Sequence, residues 1–234
     1  LAAIPSPLVY IKKPVETLET SILGTKKILD IAKDKKVKGF LFASTSEVYG
    51  DPPDSMIPTK ETYFGNVNPV GARAAYYEGK RIAETFCYLY WKNFGVPVRI
   101  ARIFNTYGPR LDFKLPSSYG RVVINFIRQS LEGKPIEIFG KDKELDFTYI
   151  DDTVQGIVKC VERFESAKNQ TINIATGKAE FILATVEGIR KRLNSKSKIS
   201  IGQNRVGEVV KFVADISKAK KMLGYSPKHS FEEG

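Results

Sequence analysis

The sequence predicts an α/β protein built around a parallel sheet, and three observations support this fold class. Segments with a helical spacing of apolar residues alternate along the chain with short apolar runs. The runs 37–43 and 98–104 have the length and composition of strands that are buried on both faces. A polar, turn-rich stretch follows each run. Strands and helices that alternate in this order favour parallel strand pairing.

The remaining elements follow from spacing and from turn residues. A helix is expected over 15–35, where apolar residues recur at helical spacing. A second helix is expected over 75–94, ending at Gly95 because glycine often terminates a helix. Beyond Pro109 we expect a loop over 111–120, helices over 121–131, 152–164 and 181–193, and strands over 134–140, 171–177 and 198–201.

Length and composition exclude several classes of protein. The 234 residues are 42% hydrophobic and 27% charged, which is typical of globular proteins and excludes disordered, collagen-like and coiled-coil chains. No apolar run approaches the roughly 20 residues that span a bilayer. Residues 1–14 lack the basic-then-apolar order of a secretory signal. We therefore expect a soluble, cytoplasmic protein that binds no membrane.

The cysteines and the histidine predict no reactive centre. Cys87 and Cys160 lie in apolar helical patterns, where a thiol packs as a small hydrophobe. Their number and spacing predict neither a disulfide framework nor a metal site. The single histidine, His229, lies in the polar stretch 226–230 near the end of the chain, which disfavours a Ser-His-Asp mechanism.

The chain carries a basic excess, with a formal net charge of +11 from 37 Lys and Arg against 26 Asp and Glu. Residues 178–234 alone hold 12 Lys and Arg against 6 Asp and Glu. This excess attracts anionic ligands, but a solvated, lysine-rich surface is the favoured explanation. The aromatic residues lie in apolar segments and do not interleave with a basic stripe, so we expect no nucleic-acid partner.

Two stretches of the chain carry chemically suggestive residues. Tyr76 and Lys80 are four residues apart on an expected helix, which places them on one face about one turn apart. An ammonium group there favours the phenolate, so the tyrosine can exchange a proton near neutral pH. Thr45, Ser46 and Glu47 follow the preceding strand, where a hydroxyl can orient a substrate oxygen and a carboxylate can relay a second proton. Each pattern alone is common on ordinary protein surfaces, but together they indicate a site that oxidises a hydroxyl group.

Longer blocks of sequence resemble a known family. FASTSEVYGDP (42–52), NVNPVGARAAYYEGKRIAETF (66–86) and VRIARIFNTYGPRL (98–111) resemble the extended short-chain dehydrogenase/reductases, specifically the NAD-dependent nucleotide-sugar epimerases, dehydratases and decarboxylases. The likeness runs over the whole chain and includes LAAIPSP (1–7), FTYIDD (147–152) and ADISKAKKMLGYSP (214–227). The central blocks are most similar to UDP-glucuronate decarboxylases, while the first residues and the RVGEV stretch (205–209) are equally similar to 4-epimerases.

The resemblance implies a fold, a cofactor and roles for the site residues. The fold would be a Rossmann-like parallel sheet with a smaller α/β lobe that binds a nucleotide-diphosphate sugar, of which a UDP-sugar is the one favoured. With NAD as cofactor, Tyr76 would be the base toward the sugar 4-hydroxyl, Lys80 would hold the nicotinamide ribose, and Thr45 would hydrogen-bond the same sugar oxygen. Glu47 matches an additional acid/base of decarboxylases and of some dehydratases. Ser46 stands where dTDP-glucose dehydratases have aspartate, which disfavours that subtype.

The resemblance also implies binding residues and a domain organisation. Cofactor contacts would come from Tyr76 and Lys80 with Ala2, Ala3, Ala43 and Ser44, and substrate contacts from Asn105, Arg110, Arg121 and Arg205. Guanidinium groups suit the phosphate oxygens of a nucleotide. Residues 1–108 would form an incomplete NAD-binding domain and residues 109–234 mainly the nucleotide-sugar lobe, with 146–176 returning to the first domain. A homodimer is implied as well.

Two departures from the family pattern leave alternatives open. The glycine-rich strand, turn and helix that receives a dinucleotide pyrophosphate is absent from these 234 residues, so we expect a preceding segment to supply it. Leu145 stands where the family commonly has an arginine, and Lys141 or Lys143 would not reproduce bidentate geometry. A 4-keto intermediate could therefore be epimerised, dehydrated or decarboxylated. A non-catalytic sugar-nucleotide-binding or scaffold protein of the same fold is the alternative.

Overall fold

A computed structural model describes residues 3–110, 122–204 and 209–234 of the chain. The helices within these ranges are α1 (Pro7–Lys12), α2 (Pro14–Glu19), α3 (Thr25–Asp34), α4 (Ala74–Phe94), α5 (Val122–Leu131), α6 (Ile150–Glu162), α7 (Phe164–Ala167), α8 (Ile182–Arg192) and α9 (Ser217–Leu223). The strands are β1 (Phe40–Thr45), β2 (Val98–Ile103), β3 (Asn105–Tyr107), β4 (Ile136–Phe139), β5 (Glu144–Leu145), β6 (Phe147–Tyr149), β7 (Gln170–Ile174), β8 (Glu180–Phe181), β9 (Ile199–Gly202) and β10 (Lys211–Phe212). A π-helical segment (Thr20–Gly24) joins α2 to α3, and 3-10 turns lie at Ser46–Tyr49 and Asp54–Met56.

A three-stranded parallel sheet in the order β1–β2–β7 organises the first part of the molecule. Helices α3 and α4 cover one face of this sheet, and α6, α7 and α9 cover the other. The register pairs Thr45 with Ile103 and Ile103 with Ile174, so the carboxyl ends of the three strands lie side by side. This three-layer arrangement confirms the predicted α/β class with a parallel sheet.

A second apolar core forms beyond β3, where β4 pairs in parallel with β9. Helices α5 and α8 pack on each other and on β4, and they enclose a cluster that includes Phe126, Ile136, Ile138 and Val186. A small sheet in the order β10–β5–β8 lies next to it. Buried residues from both parts, among them Tyr49 and Phe212, form a further cluster at the carboxyl end of the central sheet. The two parts therefore meet where the strands end.

The structure corrects two strand predictions. The first strand occupies Phe40–Thr45 and not 37–43, so Ser44 and Thr45 belong to the strand and the polar turn begins at Ser46. The stretch after β2 was expected to be a loop but contains β3, which pairs in parallel with β6. Its polar and turn-forming residues suggested a loop, yet a distant pairing partner outweighs local propensity.

The other predicted elements are present, with ends that differ by a few residues. They are the helices expected over 15–35, 75–94, 121–131, 152–164 and 181–193, and the strands expected over 134–140, 171–177 and 198–201. The first of these helices is interrupted by the π-helical segment. The sequence analysis missed α1, α9 and the short strands β5, β6, β8 and β10, because elements of two to seven residues carry little periodicity.

A glycine sets how closely α4 approaches the π-helical segment. A Cβ placed on Gly79 would lie 3.0 Å from the Cβ of Ser21, which is tighter than ordinary van der Waals contact. The absence of a side chain at Gly79 therefore lets the two helices pack closely, although glycine weakens a helix interior. This contact lies next to Lys80, so it helps to place the turn of α4 that carries the predicted site.

The C-terminal stretch containing His229 is docked and is not a free polar tail. Asp152, which is 1% exposed, accepts hydrogen bonds from the backbone N–H groups of Lys228 and His229. The His229 ring lies 4.7 Å from that of Tyr149, and its Nδ1 lies 3.1 Å from Asp152 Oδ2. Asp152 therefore docks this stretch onto the start of α6.

Candidate active site

The predicted site lies where β1 ends and α4 begins to cover it. Helix α4 packs on β1, on β2 and on the 3-10 turn at Ser46–Tyr49. The Lys80 Nζ atom donates a hydrogen bond of 2.8 Å to the Ala43 carbonyl oxygen, two residues before Thr45. Since Tyr76 lies one helical turn before Lys80, its side chain is on the same side of α4. The structure therefore brings the helix pattern and the strand-end pattern together, although 31 residues separate Thr45 from Tyr76 in the sequence.

Burial changes the acid-base properties of Lys80. The side chain is 6% exposed, and its Nζ atom lies 4.8 Å from the centre of the Phe42 ring. Desolvation lowers the pKa of Lys80 to about 8, while the Glu84 carboxylate opposes this shift. A lysine with this pKa carries its charge at neutral pH but loses it in mildly alkaline solution.

Tyr76 belongs to a buried aromatic cluster with Tyr10 and Tyr77. Its ring is 7% exposed and stacks on the ring of Tyr10, with centroids 5.1 Å apart and an interplanar angle of 2°. The Tyr10 hydroxyl accepts a hydrogen bond from Arg73 Nη1 at 3.5 Å. Tyr10 thus comes from the first helix to fix the position of the tyrosine that the sequence analysis singled out.

Glu47 lies at the edge of this aromatic cluster. Thr45 caps the 3-10 turn, because its Oγ1 accepts a hydrogen bond from the Glu47 N–H at 3.4 Å. Burial, followed by the charge of Glu47, raises the pKa of Tyr77. Burial also raises the pKa of Tyr10, and the Glu47 charge contributes to the same shift. The charge of Glu47 is therefore felt by two of the three phenols of this cluster.

Ala43, Ser44 and Ser46, the other predicted site residues at the end of β1, differ in their hydrogen bonds. Ser44 is 4% exposed, and its Oγ donates a 2.6 Å hydrogen bond to Glu84 Oε1. The Ala43 carbonyl accepts from Lys80. Ser46 is 4% exposed. The hydroxyl proton of Ser44 is therefore taken up by Glu84, and its predicted contact with a cofactor stays a prediction.

The residues predicted to bind substrate are only partly described. Asn105 lies on β3, half-buried, and its Nδ2 donates to the Asp146 carbonyl at 3.5 Å. Arg110 is exposed and has a left-handed backbone with φ of 68°. Ala3, predicted to contact the cofactor, is half-buried near the start of the chain. Arg121, Arg205 and Ala2 lie outside the described residues. All of these roles stay predictions.

Leu145 occupies an apolar position at the meeting of two clusters. It is half-buried and packs against the cluster that contains Phe212 and against the cluster that contains Phe147. Of the two lysines considered as substitutes for an arginine there, Lys143 is buried and Lys141 is exposed. Leu145 therefore packs among apolar side chains, while its cross-strand partner on β8 is Glu180.

The sequence analysis missed four residues that surround the site: Tyr10, Arg73, Glu84 and Arg102. Glu84 continues the four-residue spacing of Tyr76 and Lys80, which was a usable signal. Arg102 interrupts an apolar strand, and a charge in a strand buried on both faces needs a partner. No comparable sequence signal marks Tyr10 or Arg73, since their positions depend on how α1 folds back onto α4.

The chemistry of this donor set fits the nicotinamide-ribose end of a dinucleotide. Ribose hydroxyls accept hydrogen bonds from an ammonium group, and they can donate to a phenol or accept from it. At this strand end Lys80 supplies the ammonium group and Tyr76 the phenol. Within the described ranges no cluster of His, Cys, Asp and Glu is arranged to hold a metal ion. Over the same ranges, no helix has the length and apolar character to cross a bilayer.

The protein has a parallel sheet between two helical layers, with polar groups at the carboxyl ends of the strands. This arrangement defines the class of α/β proteins that bind ligands in a crevice outside those strand ends. Comparison with protein families assigns the chain within this class. The sequence model of the NAD dependent epimerase/dehydratase family matches residues 1–175 of the chain. The chain belongs to this family, which confirms the resemblance drawn from its motifs.

Individual relatives agree with this assignment. The chain is 40% identical to UDP-glucuronic acid decarboxylase 1 of Xenopus tropicalis over 235 aligned residues, covering 100% of the chain and 53% of the relative. It is 41% identical to UDP-glucuronic acid decarboxylase 1 of Arabidopsis thaliana over 235 aligned residues, covering 100% and 52%. The chain thus spans about half the length of these relatives.

Solved structures match as well. The UDP-glucose 4-epimerase of Thermotoga maritima, solved with UDP-glucose, superposes with a TM-score of 0.90 at 28% identity, covering 100% of this chain and 72% of that one. The UDP-glucuronic acid 4-epimerase of Bacillus cereus, solved with UDP-glucuronic acid and NAD, superposes with a TM-score of 0.81 at 31% identity, covering 93% and 65%. These superpositions confirm the predicted Rossmann-like fold. All four relatives carry enzyme names, so the comparisons give no support to the non-catalytic alternative.

Proposed function

We propose that this chain carries the catalytic site of an NAD-dependent enzyme that modifies a nucleotide-diphosphate sugar, a UDP-sugar, through a 4-keto intermediate. One observation carries the proposal: the buried Lys80 ammonium is hydrogen-bonded to the end of β1, one helical turn from Tyr76. Family membership and the enzyme names of the relatives support it. The ligands named with the neighbouring structures, UDP-glucose, UDP-glucuronic acid and NAD, support the choice of substrate and cofactor.

The described residues can move one proton at the sugar 4-oxygen. Tyr76 is the base that removes the proton of the 4-hydroxyl, because the neighbouring Lys80 cation stabilises a phenolate. Thr45 uses its oxygen to accept from the Glu47 N–H and keeps its hydroxyl proton to donate to the same sugar oxygen. Lys80, whose pKa lies at about 8, is charged at neutral pH and orients ribose hydroxyls. NAD, when bound, supplies the hydride acceptor.

Glu47 would act in the second part of the reaction, where a 4-ketone is converted. Burial and then the Glu47 charge raise the pKa of Tyr77, and the same charge adds to the raised pKa of Tyr10, which supports a role for Glu47 near the cluster of Tyr76. From there it can move a proton at the carbon or oxygen next to the ketone. Epimerisation, dehydration and decarboxylation all remain compatible with this position. Leu145 supplies no positive charge where the family resemblance implies an arginine, which disfavours decarboxylation, whereas the 40% identical relative is named UDP-glucuronic acid decarboxylase.

The domain organisation, oligomeric state and location belong to the same proposal. Residues 1–108 with 146–176 would hold the cofactor, and the rest of 109–234 mainly the nucleotide sugar. A homodimer would form through α3 and α4, whose exposed apolar residues are Ile28, Ile31, Ile82 and Leu89. Light scattering of an Ile31→Glu variant tests this interface, since a charge there should give monomers. A cytoplasmic location stays a prediction.

The decisive test of the function is turnover of UDP-sugars with NAD. In the protein that contains this chain, Tyr76→Phe should lower kcat/KM by about 10²- to 10⁴-fold, because the base is removed while the stacked ring is kept. Tyr88→Phe is the matched control, since it alters an exposed tyrosine of the same helix. Product analysis for UDP-glucose and UDP-glucuronic acid identifies the reaction. Turnover unchanged by Tyr76→Phe would contradict the proposal.

A further inference from the structure

A row of polar side chains crosses the central sheet near its carboxyl end. The register pairs Ser44 with Arg102 and Arg102 with Asn173, so the three residues lie side by side on β1, β2 and β7. Ser44 is 4% exposed and Asn173 fully buried. Buried polar groups are costly unless they are hydrogen-bonded, so a row of three in one sheet requires partners.

Glu84 of α4 is the main partner of this row. Its carboxylate accepts two hydrogen bonds from Arg102, from Nε to Oε1 at 3.0 Å and from Nη2 to Oε2 at 2.6 Å. It also accepts the Ser44 hydroxyl at 2.6 Å. The side chains of Arg102 and Glu84 are 13% and 11% exposed, so the pair is largely desolvated. This bidentate arrangement fixes one turn of α4 against two strands at once.

On its other side, Arg102 contacts the Tyr49 ring and the backbone carbonyl of Glu61. The Arg102 guanidinium lies 4.6 Å from the centre of the Tyr49 ring. The Tyr49 hydroxyl donates to Asn173 Oδ1 at 2.7 Å, and burial raises the pKa of Tyr49 to about 12, so it stays a donor. Arg102 Nη1 donates to the Glu61 carbonyl at 3.3 Å. The network thus extends from α4 to the 3-10 turn that carries Glu47.

We propose that the Glu84–Arg102 pair is a positioning unit for Lys80. The hydrogen bonds of Glu84 hold α4 against β1 and β2 one turn after Lys80. They also keep the Glu84 carboxylate near the buried Lys80 amine. This inference rests on the proposed function for its importance to catalysis, but its physical content concerns Lys80 alone. Arg102 in turn fixes the position of the Glu84 carboxylate, because it binds both of its oxygens.

The surroundings of Lys80 make the effect of this carboxylate measurable. The ionisable groups that act on Lys80 are Glu84 and Cys87 on its own helix, with Arg102 of β2 bonded to Glu84. Strand β1 contributes the uncharged Phe42 ring and the Ala43 carbonyl. Burial raises the pKa of Cys87 to about 12, so this thiol is neutral when Lys80 titrates. Glu84 is therefore the anion that supports the Lys80 ammonium.

The test measures the titration of Lys80 directly. In the full chain labelled with ¹³C-lysine, the Cε–Hε resonance of Lys80 is assigned from its loss in Lys80→Arg and followed against pH. The wild-type midpoint should lie near pH 8. Glu84→Gln keeps an oxygen for Ser44 but removes the charge, and should lower the midpoint by about one unit, equivalent to a ten-fold loss of ammonium above it. In an active enzyme the alkaline limb of the kcat/KM profile should shift by the same amount.

Two further variants make the result interpretable. Glu84→Gln leaves Arg102 buried without its anion and can unfold the protein, so Glu84→Gln with Arg102→Gln removes both charges and should lower the Lys80 midpoint in a folded protein. Tyr90→Phe removes another polar group of α4, far from Lys80, and should leave the midpoint unchanged. An unchanged Lys80 midpoint in the folded double variant overturns the proposal. If the Lys80 midpoint shifts in a protein that turns over no nucleotide sugar, the positioning unit stands and the proposed function fails.

Discussion

The two halves of helix α4 are built on different principles. The first half buries Tyr76, Tyr77 and Lys80, all with polar groups. The second half buries Cys87 and Tyr90 in an apolar cluster with α3 and the sheet. The first half is the more buried of the two and holds the Lys80 ammonium in the interior at neutral pH, whereas Leu89 and Phe94 of the second half are exposed. Apolar packing of the second half holds the helix in place. Burying ionisable groups in the first half costs desolvation free energy.

The contrast explains the pKa shifts along the helix. Burial lowers the pKa of Lys80 to about 8 and raises that of Cys87 to about 12, because desolvation disfavours whichever form is charged. The same physical effect brings the amine toward neutral pH and takes the thiol away from it. A buried lysine is therefore a candidate reactive group, whereas a buried cysteine in the same helix is inert.

The largest effect should come from removing the charge in the first half. Lys80→Met should lower kcat/KM by at least about 10²-fold, since the ammonium supports the Tyr76 phenolate and the ribose. The midpoint of thermal unfolding should fall little, because a buried charge is replaced by an apolar chain of similar length. Steady-state kinetics and calorimetry check both points. Lys92→Met, at an exposed position of the second half, is the control and should change neither.

A cavity in the apolar cluster that the second half of α4 forms with α3 should have the opposite signature. Leu29→Ala, at a fully buried position of the α3–α4 cluster, should destabilise the protein by about 2–5 kcal/mol. The kcat of the folded fraction should be retained, since the side chain lies in the apolar cluster away from Tyr76. Urea titration measures the loss, and Leu131→Ala at an exposed site should cost far less. A proportional fall in kcat at low temperature would show that the two halves are not separable.

The pH dependence sharpens the comparison further. The Lys80 pKa lies at about 8, below the usual 10.5, so the ammonium is present below about pH 8 and is lost as the pH rises through that value. We expect kcat/KM to fall about ten-fold per pH unit above that midpoint. A rate profile from pH 6 to 10 measures this. A flat profile up to pH 10 would mean that the charge on Lys80 is not required.

The smallest effect should come from the surface end of the second half. Tyr90 donates its hydroxyl to Asp30 of α3, whose carboxylate also bonds Lys26 near solvent. Water replaces such a bond readily, so Tyr90→Phe should leave activity and the unfolding midpoint almost unchanged. Differential scanning calorimetry checks this expectation. A large drop in the unfolding midpoint would show that the Tyr90–Asp30 hydrogen bond stabilises the α3–α4 pair more than its apolar cluster does.

Much of the fold and part of the site were predictable from sequence. The long elements, such as α4, carry strong periodicity and end at Gly95, so their existence was correctly predicted. The strand β3 and the docked stretch around His229 were not, because each depends on a partner far along the chain, β6 and Asp152. Tyr76 and Lys80 were singled out through their spacing, and their roles stay predictions. Arg102 was overlooked, because its partner Glu84 is contributed by a different element.

The sequence by itself determined the parallel α/β class, the helix that presents Tyr76 and Lys80 on one side, and the family. Only the tertiary structure decided that Lys80 is bonded to Ala43, that Tyr10 stacks on Tyr76, and that Glu84 binds Arg102 and Ser44. The physical reason is the range of the interactions. Periodicity and end signals act within about ten residues of chain, whereas desolvation and hydrogen bonding of a buried charge depend on groups that only folding brings together.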